Sequence, residues 1–264
     1  MEGSPAYDAH VRFEHVRMHF GERTVFDDLT CGFPRGQISV LLGGSGSGKS
    51  TLLRLLGGLI RPEAGRIFVG DEEVTGASEA ALYSVRSRIG MLFQGGALLD
   101  SLTIFDNLAL PLREHSDLPA DAIATAVRAQ LSSVGLEKID HLLPGQLSGG
   151  MLRRAALARA ILREPEILLC DEPFSGLDPA SVKRIEMLLA KINQERGITV
   201  LVISHHIAST LRLADHALLL LPGRSVEGKP ADLRRSEDQE VADFFDEDLA
   251  IDDVTLAPSE TIQP

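Results

Sequence analysis

The residue types best suited to chemistry lie in one run. Gly43-Gly44-Ser45-Gly46-Ser47-Gly48-Lys49-Ser50 follows G-x-x-x-x-G-K-S/T in full. The spacing has a direct physical reason. Glycines let successive backbone N–H groups turn inward around phosphate oxygens without Cβ clashes. A helix starting near Lys49 adds unpaired N–H groups and the positive end of its dipole. Lys49 supplies a mobile positive charge for the β and γ phosphates, and the Ser50 hydroxyl can ligate Mg²⁺. Thr51 follows in the same helix start and is counted with the nucleotide-binding set. The bland alternative is a merely flexible glycine turn. An apolar strand before the run and a helix after it favour a nucleoside triphosphate instead, and the loop alone does not choose ATP over GTP.

A second constellation follows the run Ile167-Leu168-Leu169-Cys170, which ends in Asp171-Glu172. Ligand sites in parallel sheets lie at the carboxyl ends of strands. Asp171 is placed to hold the magnesium ion, and Glu172 to orient or deprotonate an attacking water. Two adjacent carboxylates resist ionising together unless a cation is present. A magnesium–nucleotide complex resolves that conflict, and a glutamate that polarises water predicts hydrolysis rather than storage. His205 closes a third apolar run, Ile198–Ile203 extended to Ser204, where it can sense a γ-phosphate. The plain alternative for His205 is a strand-end histidine capping a backbone group, and His206 reads as structural or surface.

The elements that must hold these residues can be read from period and punctuation. Residues 11–20 and 24–33 read as strands, 37–42 as a short apolar strand, and 65–74 as holding another. Helical spacing covers 82–88, and 90–93 suggests a strand. A helix over 103–110 is expected to stop near Pro111. Residues 120–134 form an amphipathic helix with Ile123, Val127, Leu131 and Val134 on one side, a stripe expected to face the domain's own core. Helices are also read over 151–163, 179–194 and 206–213, and strands over 198–203 and 217–221. Fully apolar strands alternating with helices mean a largely parallel α/β sheet covered on both faces.

Composition narrows the function. The 264 residues carry 38 acids against 26 bases, a net charge of −12, with 44% hydrophobic residues. Ten of those acids and no Lys or Arg lie from Glu237 onward. The remainder is almost neutral, without the basic footprint of a nucleic-acid binder, and no nucleic-acid partner is expected. Two cysteines make no disulfide framework, and Cys170 reads as a buried strand residue. The N-terminus has no signal-peptide pattern and no apolar stretch reaches 18 residues. A cytoplasmic location with docking on a membrane protein is therefore expected. In the acidic tail, Val241, Phe244, Phe245 and Leu249 recur at roughly helical spacing. The tail reads as a short terminal helix with a disordered end, or as an anchor that places Phe244 and Phe245 on a partner subunit.

Leu147-Ser148-Gly149-Gly150-Met151, taken with the motifs above, resembles the signature of the nucleotide-binding subunits of ABC transporters, and the likeness extends over nearly all of residues 11–235. The resemblance implies a P-loop NTPase fold of the ABC type, with a RecA-like core, an antiparallel β subdomain and a helical subdomain at about 95–163. The ATPase domain would span 8–235 and an acidic C-terminal extension 236–264. It also implies a head-to-tail dimer sandwiching two ATP molecules. Phe20 then corresponds to the aromatic that stacks on adenine. Gln94 corresponds to the Q-loop glutamine that touches Mg²⁺, Asp178 to the D-loop aspartate and His205 to the switch histidine. Ser148, Gly149 and Gly150 would meet the γ-phosphate held by the other subunit, which agrees with an anion site at a helix start. Two positions depart from the pattern: Met151 replaces an amide with a thioether, and His206 stands where an aspartate is usual.

Residues 90–118 and the continuation LSGGMLRRAALARAI resemble the ATPases of bacterial Mla-type phospholipid transport systems, relatives of those serving MCE-domain importers. This implies an ATPase at the cytoplasmic face of the inner membrane that drives phospholipids between inner and outer membranes and so maintains outer-membrane lipid asymmetry. The implied partners are a polytopic permease, a periplasmic MCE-domain lipid-binding protein and a small STAS-domain subunit. The alternatives are an ABC ATPase for another cargo, such as an amino acid or a lipoprotein, and a non-transport ABC protein acting on DNA or ribosomes.

Overall fold

A computed structural model of the protein describes residues 7–246. Strands β1 (Ala9–Phe20), β2 (Arg23–Pro34) and β3 (Ile38–Gly43) lead into helix α1 (Lys49–Leu56). Strands β4 (Ala64–Val69) and β5 (Glu72–Glu73), helix α2 (Glu79–Ser87) and strand β6 (Ile89–Leu92) follow. Three helices come next, α3 (Ile104–His115), α4 (Ala120–Ser133) and α5 (Gly149–Ile161). The chain continues through β7 (Ile167–Asp171), α6 (Pro179–Arg196), β8 (Thr199–Ile203), α7 (Ile207–Leu213), β9 (His216–Leu221), β10 (Arg224–Gly228) and α8 (Pro230–Leu233). Residues 239–246 are also helical.

Two sheets result, an antiparallel one in the order β2-β1-β4-β5 and a larger one in the order β10-β9-β3-β8-β7-β6. In the larger sheet β9, β3, β8, β7 and β6 run parallel and only the edge strand β10 is antiparallel. Its central strands are apolar at every position because both faces are covered. Leu41, Leu169, Leu201 and Ile203 point into one core shared with α1 and the antiparallel sheet. Val40, Leu168, Cys170, Val200 and Val202 point into the other, shared with α5 and α6. A third core lies among α3, α4 and α5, and it receives the predicted stripe Ile123, Val127, Leu131 and Val134.

Three outcomes differ from expectation. Helix α3 runs through Pro111 to His115. Leu108 and Leu112 are both buried in the third core on either side of that proline, and this burial outweighs the one lost backbone bond. Strand β9 falls where 217–221 was read, but β10 and the one-turn α8 were not legible, being short and half-exposed. Finally, of the two readings of the tail, the helix is present at residues 239–246, whereas the anchor reading placed Phe245 on a partner subunit and it is instead fully buried with Val241 in the core against α6 and the parallel sheet. Phe244 is only partly buried and packs on the same core. Leu249 lies outside the described residues.

Candidate active site

The glycine-rich loop leaves β3 and enters α1, and its glycines are demanded by geometry. Gly46 and Gly48 have φ of 78° and 106°, a region that side-chain-bearing residues avoid. A Cβ on Gly48 would also come within 2.7 Å of the Phe26 ring. At Gly44, by contrast, an added Cβ would meet nothing within 4 Å, so the loop presents bare backbone to open space. Lys49 is buried, and its ammonium donates to the Gly43 carbonyl at 2.5 Å and the Gly44 carbonyl at 2.9 Å. The Ser47 hydroxyl is buried without a hydrogen-bond partner. A buried unpaired hydroxyl is costly, and a glycine-rich loop folded around a lysine offers the polar surface a triphosphate satisfies.

A cavity of about 710 Å³ opens over the loop, lined by Thr24, Val25, residues 44–47 and the β9–β10 turn. Arg23, not foreseen from the sequence, reaches the loop from the start of β2, its Nη2 donating to the Gly46 carbonyl at 2.7 Å. The far wall is also unforeseen. Glu240, Asp243 and Phe244 of the helix at 239–246 line the same cavity. That helix is tied down by Arg224, which bonds Asp238 at 2.5 Å and Glu240 at 2.6 Å. Phe20 stands half-exposed at the end of β1 and is not part of this lining.

Asp171 and Glu172 sit at the carboxyl end of β7. Both carboxyls are held above their usual range, first by burial, and for Glu172 next by the neighbouring Asp171 charge. Glu172 also adopts a left-handed backbone, φ 48°, and its Oε1 pairs with His205 Nε2 at 3.1 Å. The two residues picked as catalytic are thus in contact. Asp171 shares a groove of about 410 Å³ with Ser50, Phe93 and the apolar residues Leu53, Leu59, Met91 and Leu169. Two hard oxygen donors on one groove, one of them a desolvated carboxylate that a cation would relieve, fit a magnesium ion. Gln94 is exposed on the segment just after β6.

The signature residues stand elsewhere. Ser148 is the N-cap of α5, its hydroxyl oxygen accepting from the Met151 N–H at 3.3 Å, with Gly149 and Gly150 in the first turn. None of residues 147–151 lines the cavity over the loop. Asp178 caps α6, accepting from the Ser181 N–H at 3.0 Å and the Ser181 hydroxyl at 2.6 Å. The departures also have a local account. Met151 packs on the third core, where a thioether suits better than an amide. His206 caps α7 and sets its ring edge against Phe174.

Residues 26–175 match the ABC transporter family. The chain belongs to that family. This ABC ATPase is 44% identical over 227 residues to the intermembrane phospholipid transport system ATP-binding protein MlaF of Escherichia coli K12, spanning 86% of this chain and 84% of that one. It is 39% identical over 226 residues to the probable ribonucleotide transport ATP-binding protein mkl of Mycobacterium tuberculosis, spanning 86% of this chain and 63% of that one. Among solved structures, cbiO1 of Clostridium perfringens, part of the ABC transporter complex cbiONQ, superposes with a TM-score of 0.80 at 26% identity over 94% of this chain and 99% of its own. The bacterial ABC transporter cassette MJ0796, solved as a dimer, superposes with a TM-score of 0.75 at 30% identity over 83% and 98%. The same cassette has also been solved bound to ADP and phosphate after hydrolysis.

Proposed function

We propose that this ABC ATPase drives phospholipid movement between the inner and outer membranes of a bacterium, as one of two copies that dimerise head to tail beneath a polytopic permease. The observation that carries the cargo is the 44% identity to MlaF across almost the whole chain. The alternative cargoes, an amino acid or a lipoprotein, have no comparable support.

Within the cycle, the backbone N–H groups of residues 44–50 and the Lys49 ammonium bind the triphosphate, the lysine exchanging the Gly43 and Gly44 carbonyls for phosphate oxygens. Ser50, Asp171 and Gln94 would hold Mg²⁺, which neutralises charge across the β and γ phosphates when bound. Glu172 takes the proton of the attacking water, and His205 holds the carboxylate through its contact with Oε1 and monitors the γ-phosphate. Ser148 already accepts a backbone N–H, so its own O–H is left to donate to phosphate on the second copy. Gly149 and Gly150 add backbone N–H groups, Asp178 reaches across the dimer, and Phe20 stacks on the adenine.

A permease helix is proposed to rest near Gln94 and residues 95–115, against the apolar rim of the groove whose Ser50 and Asp171 are kept for the magnesium ion. That rim exposes Leu59 at 66% and Phe93 at 41%, apolar surface that a partner would cover. An MCE-domain protein and a STAS-domain subunit complete the proposed assembly, with the ATPase peripheral at the cytoplasmic face. Among the described residues no helix is long and apolar enough to cross a membrane.

Reconstitution tests the cargo. The chain copurified with its permease should carry phospholipid detectable by mass spectrometry. Proteoliposomes should transfer labelled phospholipid with ATP, and lose that transfer with Glu172→Gln. Vigorous ATP hydrolysis by a complex that neither carries nor moves phospholipid would refute the assignment.

A further inference from the structure

Helix α5 is fastened by three arginines, and they divide its attachments. Arg154 donates to the carbonyls of Val134 and Gly135 at 2.9 and 2.8 Å, at the end of α4. That fixes α5 to the helical unit. Arg159 donates instead to the carbonyls of Gly96 and Ala97 at 3.2 and 2.7 Å. Arg153 donates to the carbonyls of Phe93, at 3.0 Å, and Gln94. Its second nitrogen reaches the Ser175 carbonyl at 3.3 Å, three residues beyond Glu172.

Arg153 is only 8% exposed, in a helix whose first turn carries the signature. Each of these bonds runs from a guanidinium to a main-chain carbonyl, so the backbone itself is gripped, whatever the side chains beyond it do. A planar fork with several donors can hold two loops at once, which a flexible ammonium cannot. The segment 93–97, which Arg153 holds at Phe93 and Gln94 and Arg159 holds at Gly96 and Ala97, is conformationally committed, since Gly96 and Ala97 both have left-handed φ, 78° and 49°.

We propose that Arg153 is a positioning residue that makes the signature helix, the Gln94 segment and the Glu172–Ser175 loop move as one piece. The proposal rests on the ATPase reading and goes beyond it. Phosphate drawn onto Ser148 by the second copy would shift α5. Arg153 then carries that shift to Gln94 and to the loop bearing Glu172 of its own subunit. One ATP site thereby sets the geometry of the other, because each subunit offers its signature to one site and its Glu172 to the other. No proton or phosphoryl group passes through Arg153.

The test uses the full chain with Arg153→Met, which keeps the stem and removes the donors, and Arg153→Lys, which keeps charge without the fork. Affinity for a fluorescent ATP analogue should stay within about twofold of wild type, because the loop at 43–50 is untouched. In the Met variant kcat should fall by about 100-fold, the cost of small misplacements of reacting groups. The Hill coefficient for ATP should drop toward one, and half-saturating Mg²⁺ should rise. The Lys variant should recover part of kcat but not the cooperativity. Unchanged kcat and cooperativity in a folded variant would overturn the proposal. So would losses that merely track a lowered melting temperature and weakened ATP binding. If the Met variant does not fold, the Lys variant decides alone: wild-type cooperativity there overturns the idea, and its loss with ATP affinity retained supports it. Turnover by the wild-type chain is a separate control, whose failure would fault the ATPase reading rather than the role of Arg153.

Discussion

Glu172 shows how far one side chain's surroundings constrain its chemistry. Burial and Asp171 raise its carboxyl above the usual range, and its left-handed backbone stores strain on the order of 1–3 kcal/mol. A base with a raised pKa is better matched to neutral pH. The acid limb of kcat/KM against pH, which reports the free enzyme, should therefore lie above the ordinary carboxylate range. Glu172→Gln should retain ATP binding and lose turnover by about 100-fold or more. The same shift governs stability. A carboxyl with a raised folded-state pKa is protonated more readily in the fold than in the unfolded chain, so stability falls as pH rises through that interval. Glu172→Gln should consequently melt higher than wild type at pH 7, with the difference vanishing below the ordinary carboxylate range. Thermal scans at the two pH values check this, and equal melting at both would contradict it. At Lys49, removal of the ammonium by Lys49→Ala should weaken ATP binding by about 10- to 100-fold, the worth of one charge-assisted bond, and titration calorimetry would register it. The types and spacing of these residues were legible in the sequence. The Glu172–His205 contact was not, because strand register in a parallel sheet brings together residues far apart along the chain.

Elements were readable wherever one period dominated. The central strands announced burial on both faces by being apolar throughout, and α4 announced its single buried side through a three-and-four spacing. Local rules failed where packing overrode them, as at Pro111, or where an element was too short to show a period, as in β10 and α8. The start of α5 illustrates a tolerance set only by a neighbouring element. An added Cβ at Gly150 would lie 2.6 Å from the Ser181 hydroxyl of α6. Gly150→Ala should leave ATP affinity of the separate subunit intact, since the loop at 43–50 is untouched, while kcat of the dimer falls by about tenfold to 100-fold because the signature is displaced. Adding Ser181→Ala should restore part of that rate. Steady-state kinetics of the single and double variants would check both statements.

At the scale of the whole molecule, the described part of the acidic C-terminal segment both packs on the core and faces the site. Residues 239–246 are a structural helix, with Val241 and Phe245 in the core and Glu240 and Asp243 on the wall of the cavity over the phosphate-binding loop. Phe245→Ala should cost about 3–5 kcal/mol, as for other fully buried phenylalanines, measurable by urea unfolding. A surface anchor for a partner would show almost no such loss. The sequence by itself determined the reaction class and the fold class. A loop of glycines ending in Lys-Ser has one efficient use, and its flanking strand and helix are imposed by local periodicity. Tertiary structure alone decided which distant groups meet: His205 on Glu172, Arg153 on two loops at once, Arg23 on the Gly46 carbonyl and Phe245 inside the core. These contacts depend on how elements stack and register, which is set by burial summed over the whole chain rather than by any local run of residues.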